Sequence, residues 1–257
     1  MRYFVRLSFL GSAYHGWQRQ ANASSVQAEL EKALTTLLRR PVLTVGAGRT
    51  DAGVHASMMV AHFDSPSPLD TSSLTYKLNI LLPPDIAVGS VVPVVPDAHA
   101  RFSALSRSYS YHICLRKDPF KRLTALQINY PLDFSLMQQA AALLPSVTDF
   151  ASFCKTHSGN RTTLCCVHSS AWHRLDQSNW LFEITADRFL RNMVRALVGT
   201  MIDVGRERLS LDGFRRIIAA RSRSLAGESV APEGLFLTHI AYPDNIFLPA
   251  APTPPET

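Results

Sequence analysis

The chain has 257 residues, with 26 Lys and Arg against 20 Asp and Glu, a formal charge of +6 and a pI near 9.4. Hydrophobic residues make up 46%, enough for a sizeable core in one large domain or two of ordinary size. No apolar run is long enough for a membrane span or a secretory leader, so the expectation is a cytoplasmic protein with four reduced cysteines and a leaning toward polyanionic partners. Basic residues also decorate ordinary surfaces, so charge alone does not establish nucleic acid as the partner.

Residues Met1 to Leu10 alternate and carry two arginines, which predicts a strand. A loop with Gly11, Gly16 and Trp17 follows. Ser24 to Arg40 is predicted as a helix: Ser24-x-x-Gln27 suits a capping box, Val26, Leu30, Ala33, Leu34 and Leu37 share one face, and Pro41 stops it. Strands are predicted at Val42–Gly46 and Ala56–Phe63, a short helix at Asp70–Leu82 ended by Pro83-Pro84, and a strand at Ile86–Val95. That strand–helix–strand–strand–helix–strand order is ferredoxin-like. A similar order recurs beyond Ser106. Ser106–Leu115 reads as a strand, Asp133–Leu144 as a helix, and Leu164–Leu175 with Trp180–Ala186 as a hairpin. Phe189–Val204 and Leu211–Arg221 read as helices and Leu235–Tyr242 as a closing strand. No sequence repeat links the halves. The expected division is a unit over 1–104, a second over 105–245 and a proline-rich, loosely attached tail over 246–257.

Two patterns invite specific chemistry. Cys154-x2-His157 and Cys165-x2-His168 have spacings suited to zinc. Against that reading, Cys166 adjoins Cys165, and the strand character of Leu164–Trp172 sends alternate side chains to opposite faces. The second pattern is Gly48-Arg49-Thr50-Asp51-Ala52-Gly53-Val54-His55. Small neighbours give a bulky substrate access to the Asp51 carboxylate, and Gly53 permits a positive φ in a tight turn. Arg49 supplies a cation for a phosphate or for Asp51 itself. A phosphate-binding loop is excluded because no Lys-Ser or Lys-Thr follows. A dinucleotide loop opening at Gly46-Ala47-Gly48 is excluded because its sixth position is Asp51. A polar surface turn without a role stays open on spacing alone.

The stretch Gly48–His55 resembles the G-R-T-D-A-G-V-H motif of the tRNA pseudouridine synthase A family. Other pieces resemble that family in its order: Gly16-Trp17-Gln18-Arg19-Gln20 with Ser25-Val26-Gln27; Asn79 with Leu82-Pro83 and Asp85-Ile86; His99-Ala100-Arg101-Phe102-Ser103-Ala104; Arg107-Ser108-Tyr109-Ser110-Tyr111; Phe189 to Arg195; and Pro232-Glu233-Gly234-Leu235. The resemblance covers about residues 3 to 243. It implies an α+β fold of two ferredoxin-like units, with joined antiparallel sheets and a central basic cleft for RNA. It also implies a homodimer that acts on uridines of the tRNA anticodon stem-loop, on its 3′ side, and needs neither cofactor nor metal.

The implied reaction is an isomerisation. The N1–C1′ bond of a uridine breaks, the uracil turns, and C5 bonds to C1′. A carboxylate beside the ribose is required, and two roles suit it: attack on C1′ or removal of the C2′ proton. By resemblance Asp51 is that carboxylate, Tyr109 stacks on the flipped base and helps remove the C5 proton of the new glycoside, and Arg195 partners Asp51. Arg49 fills or guides the vacated space, Leu235 walls the uracil pocket, and Arg101, Arg107 and Arg191 contact RNA. The plainer alternatives are a core tyrosine at Tyr109 and a solvated arginine stripe at Arg191 and Arg195, one turn apart on the predicted helix. Arg116, Lys117, Lys121, Arg122, Lys155, Arg161 and Arg188 offer further phosphate contacts. One departure stands out: the family's Tyr-Asp-Gly after the first strand is Phe9-Leu10-Gly11 here. Two rival functions remain at this level, a pseudouridine synthase of other RNA specificity and a non-catalytic protein that binds or folds RNA.

Overall fold

The computed structural model describes residues 1–155 and 161–249. They form two compact units, Met1–Leu105 together with the segment from Leu237 on, and Ser106–Phe236.

In unit 1 the order is β1 (Arg2–Phe9), α1 (Val26–Leu38), β2 (Val45–Gly46), β3 (His55–Asp64), α2 (Thr71–Leu81) and β4 (Ile86–Val94). The strands run β4-β1-β3, antiparallel, with β2 paired to β3, which is the ferredoxin-like order. Alternation along β1 buries Tyr3, Val5, Leu7 and Phe9 on one face. On the other face Phe4 meets Tyr242 and Phe247, ring centroids 5.1 and 6.3 Å away. Across β1 and β4, Arg6 opposes Ser90 and Leu7 opposes Val88, so Gly89 is an extra residue. Asn79 of α2 repairs the ladder there. Its amide donates to the Val88 carbonyl and accepts from the Val88 N–H, both at 2.8 Å. An Asn79→Ala change would leave both backbone groups unpaired at a cost of roughly 1–3 kcal/mol.

Helix α1 begins one residue later than the pattern suggests. The cap is Ser25, whose hydroxyl accepts from Ala28 N, while Ser24 instead donates to the Ala13 carbonyl. No capping box forms, because Gln27 donates to Glu31 and to the Thr44 carbonyl. The strand expected over Val42–Gly46 shrinks to two paired residues. Asp70 caps α2 through Ser73 N, a contact worth about 1 kcal/mol.

Unit 2 contains β5 (Ser106–Cys114), β6 (Leu126–Gln127), α3 (Phe134–Leu143), β7 (Val167–Arg174), β8 (Asn179–Ala186), α4 (Met193–Gly205) and α5 (Leu211–Ala220). Its sheet runs β5-β8-β7, antiparallel, with β6 beside β5. The short β6 is absent from the pattern-based reading. Helix α4 is buried over most of its circumference and packs on α3 and α5. The segment after α5 comes close enough that a Cβ on Gly199 would lie 1.8 Å from the Glu228 carbonyl oxygen. Thr200 Oγ1 accepts from Gly227 N at 3.0 Å, fastening that segment to the helix.

Strand β9 (Leu235–Ala241) starts in unit 2 and from Leu237 belongs to unit 1, where it lies beside β3. The α+β class expected from sequence is the class observed. Two local expectations are corrected. Leu164 makes only an isolated bridge to Asp149, so β7 starts at Val167. Helix α4 starts at Met193 and not at Phe189, because Asn192 holds a left-handed φ of 68° that interrupts any helix arriving from Arg191. No helix among the described residues is long and apolar enough to cross a membrane. The tail expected to be loosely attached from residue 246 is fixed at its start, where Val95 N donates to the Ile246 carbonyl at 2.9 Å and Leu248 N to the Pro93 carbonyl at 3.1 Å; residues 250–257 lie outside the described residues.

Candidate active site

In unit 1, Asp51 sits on the loop between β2 and β3. Ala47 N donates to the Val60 carbonyl at 2.8 Å and ends the β2 side of the loop. Val54 N donates to the Asp51 carbonyl at 3.2 Å and closes a tight turn that Gly53 enters at φ 76°. His55, fully buried, accepts the Gly11 N–H on Nδ1 at 2.8 Å, so its other ring nitrogen carries the proton.

The loop between β1 and α1 clasps this turn from outside. Trp17 N donates to the Thr50 carbonyl at 3.4 Å, and Gly53 N donates to the Tyr14 carbonyl at 3.2 Å. Gly16 is at φ 89°, and a Cβ there would lie 2.2 Å from the Thr50 oxygen. Trp17 is buried over Gly46, where a Cβ would meet the indole nitrogen at 2.3 Å. Tyr14 donates its hydroxyl to Asp85 at 2.7 Å; burial, with that carboxylate beside it, pushes its phenol well above the ordinary range. Asp51 therefore rides on a backbone fixed at Thr50 on one side and Gly53 on the other, while its side chain remains half-buried. Arg49, on the same loop, is exposed, and Gly48 faces open space. Leu10, at the departure from the family pattern, is 43% exposed and donates its N–H to the Asp85 carbonyl.

The clasp gives a direct expectation. Gly16→Ala should destabilise the protein by roughly 1–3 kcal/mol, because the new Cβ meets a carbonyl at a φ that L-residues disfavour. Thermal melting should register the loss. The melt should also fall further than in Gly48→Ala, where a Cβ has room.

Sequence reading missed one part of this clasp. Buried Glu31 accepts from Thr44 N at 2.9 Å and from Gln27, and pairs with Arg19 at 3.5 Å. Gln27 in turn accepts from Arg19 N at 3.1 Å. A glutamate inside an amphipathic helix normally reads as its wet face, so only its burial reveals that it ties α1 to both neighbouring loops.

Unit 2 holds the other predicted residues. Arg107 and Tyr109 share one face of β5, opposite Ala186 and Ile184 of β8. Arg107 donates to the Asp187 carbonyl at 2.9 Å. Tyr109 is half-buried with Phe189 edge-on, centroids 4.9 Å apart at 79°. Tyr111, two residues on, is fully buried and donates to the Ala231 carbonyl at 2.8 Å. Burial and then the Glu233 charge raise its phenol far above the ordinary range, with the Arg195 charge opposing. Arg195, in the first turn of α4, donates Nε to the Val230 carbonyl at 2.7 Å and accepts Val230 N on its own carbonyl at 3.2 Å. Arg191 lies before the helix, is exposed, and gives its carbonyl to Lys155 N. The two arginines do not form a helical stripe. Leu235 is 6% exposed, at the start of β9 after the turn of residues 232–234.

Arg101 is placed in unit 1, exposed over the Phe102 ring at 5.6 Å. The zinc pattern is not assembled as one face: Cys154 and Cys165 are buried, Cys166 and His168 are exposed, and His157 lies outside the described residues. Burial pushes the Cys165 thiol up to about 12.

The chain is similar to known proteins over most of its length. A family model described as tRNA pseudouridine synthase matches residues 7–103 and 140–243. The tRNA pseudouridine synthase A of Bacteroides fragilis is 51% identical over 247 residues, which span 96% of this chain and 98% of that one. That of Bacteroides thetaiotaomicron is 50% identical over 248 residues, spanning 96% and 92%. A more distant relative of the same description, from Lactococcus lactis, is 36% identical over 248 residues, spanning 95% and 98%.

Proposed function

Because the chain belongs to the tRNA pseudouridine synthase family, we propose that it isomerises uridine to pseudouridine in tRNA, at uridines of the anticodon stem-loop, as a cytoplasmic homodimer. The observation that carries this reading is the Gly48–His55 loop, with a half-buried Asp51 between two backbone clasps. Asp51 is the carboxylate that works on the ribose of a uridine flipped out of its stack. Arg195 keeps it charged and aimed, and Tyr109 stacks on the uracil. Arg49, Arg101, Arg107 and Arg191 hold the surrounding RNA, and Leu235 contributes apolar surface to the base pocket.

Each group is suited to its step. When N1 leaves C1′, the uracil must stay close enough for C5 to take its place, and a ring face held by Phe189 retains a planar base without fixing its rotation. A guanidinium is charged at every working pH, so it opposes the neutralisation that desolvation by a bound base would impose on a carboxylate. Once C5 is bonded to C1′, the C5 proton is lost to solvent and N1 regains one, so the reaction balances without cofactor or metal.

The test is release of isotope from tRNA labelled with tritium at uridine C5. Stoichiometric release by the purified protein supports the reading. Binding without release would favour a non-catalytic RNA-binding protein. Tyr109 variants refine the test. Tyr109→Phe keeps the ring and should retain tRNA affinity, whereas Tyr109→Leu should weaken it about 5- to 100-fold, the range for a lost base–aromatic stack. Equal, near-wild-type behaviour of both would make Tyr109 a packing residue only.

A further inference from the structure

The turn that follows β5 carries a feature the modification chemistry does not use. Within residues 115–125 lie Arg116, Lys117, Lys121 and Arg122, against the single acid Asp118. Phe120, in their midst, is 94% exposed. The turn is nonetheless well built. Phe120 N donates to the Asp118 carboxylate at 2.9 Å, Lys121 N to the Asp118 carbonyl at 3.1 Å, and Ala125 N to the Lys121 carbonyl at 2.9 Å. Leu115 N donates to the Ser178 carbonyl at 2.8 Å, tying the turn to the β7–β8 connection. Between the two lies a hollow of about 510 Å³, lined by Arg116, Lys117, Phe120, Gln177 and Asn179 among others. That volume is in the range of small-ligand sites. Asp118 and Asp176 line the hollow too, and both are engaged: Asp118 accepts from Phe120 N, and Asp176 accepts from Ser178 N, Asn179 N and the Asn179 amide, bonds that, with the Lys121 charge, keep its carboxyl below the usual range.

An aromatic ring held outward by a hydrogen-bonded turn, flanked along the chain by four cations and open to a hollow roomy enough for a base, is complementary to a polyanion with an unstacked base. Tyr109 is five residues back along β5 from Cys114, roughly 17 Å at the strand rise, so the hollow takes a different nucleotide from the one modified. We propose that the 115–125 turn is a second RNA-binding element that captures an unpaired nucleotide of the tRNA, its base on Phe120 and its flanking phosphates on Arg116, Lys117, Lys121 and Arg122. Gln177 offers an amide to the edge of the base. The inference rests on the tRNA reading of the active site.

The experiment compares the full chain with Phe120→Ala, Phe120→Trp, Lys117→Gln and Arg122→Gln, using a transcribed tRNA that the wild type modifies. Phe120→Ala should weaken tRNA binding about 5- to 100-fold, lower kcat/KM in step, and leave the salt dependence of binding as in wild type. Phe120→Trp should restore affinity, since either ring stacks. Each charge variant should lower the slope of log affinity against log salt by about one. Wild-type turnover on the same tRNA tests the underlying reading separately. Given that turnover, wild-type affinity in Phe120→Ala would overturn the inference. So would a Phe120→Ala protein whose only change, in sedimentation, is from dimer to monomer, because the ring would then be a contact between copies.

Discussion

Asp51→Asn is expected to remove turnover on tRNA, by roughly a thousandfold or more, with folding and tRNA affinity close to wild type. Asparagine keeps the size and shape of the side chain and gives up its charge, and an amide neither attacks C1′ nor takes the C2′ proton. A thousandfold loss corresponds to about 4 kcal/mol of barrier. The backbone bonds of this loop, made by the Thr50 and Asp51 carbonyls and the Gly53 N–H, are kept in the variant. Tritium release reads the rate, and filter binding reads the affinity. Activity within tenfold of wild type would remove Asp51 from the chemistry.

Arg195→Met is expected to cost on the order of a hundredfold in the single-turnover rate, while tRNA binding changes severalfold at most. Methionine keeps length and packing on α4 but loses the charge and the bond from Nε to the Val230 carbonyl. A charge-assisted, two-pronged contact to a carboxylate is stronger than a neutral hydrogen bond, and an ammonium does not reproduce its geometry. Arg195→Lys should therefore recover only part of the rate. The two ways to lose Arg195 separate cleanly. As the partner of Asp51, its removal lowers kcat and leaves affinity. As a phosphate contact, its removal lowers affinity and flattens the salt dependence.

Much of the fold is legible in the sequence because the signals are local. Apolar spacing marks α1, and Asp70 and Asp133 mark the starts of α2 and α3, where each caps its helix. What escapes depends on contacts far along the chain. Gly16 looks like an ordinary loop glycine until it is seen against the Thr50 carbonyl, 34 positions away. Glu31 looks like a wet helical residue until Thr44 and Arg19 are found on it. Strand β9 looks like the end of the second unit, yet from Leu237 it belongs to the first. The start of α4 is misread because Phe189–Asn192 has helical spacing, although an asparagine before an apolar run is a residue type that tolerates the left-handed φ seen there.

The candidate site divides in the same way. Asp51 stands out on local grounds, as the one acid in a loop of small residues, and its exposure and pinned backbone suit that reading. Tyr109 and Arg195 carry no such signal. A tyrosine in a strand and an arginine in a helix are commonplace, and only the resemblance distinguishes them. Tyr111 illustrates the difficulty: it sits in the same strand two residues from Tyr109, but it is buried with its hydroxyl on Ala231.

The most direct test of the account is site-resolved pseudouridine mapping of tRNA from cells with and without this gene, the latter complemented by wild type or by Asp51→Asn. Pseudouridine on the 3′ side of the anticodon stem-loop should vanish on deletion, return with the wild-type chain, and stay absent with Asp51→Asn. Maps unchanged by deletion, or restored by Asp51→Asn, would contradict it.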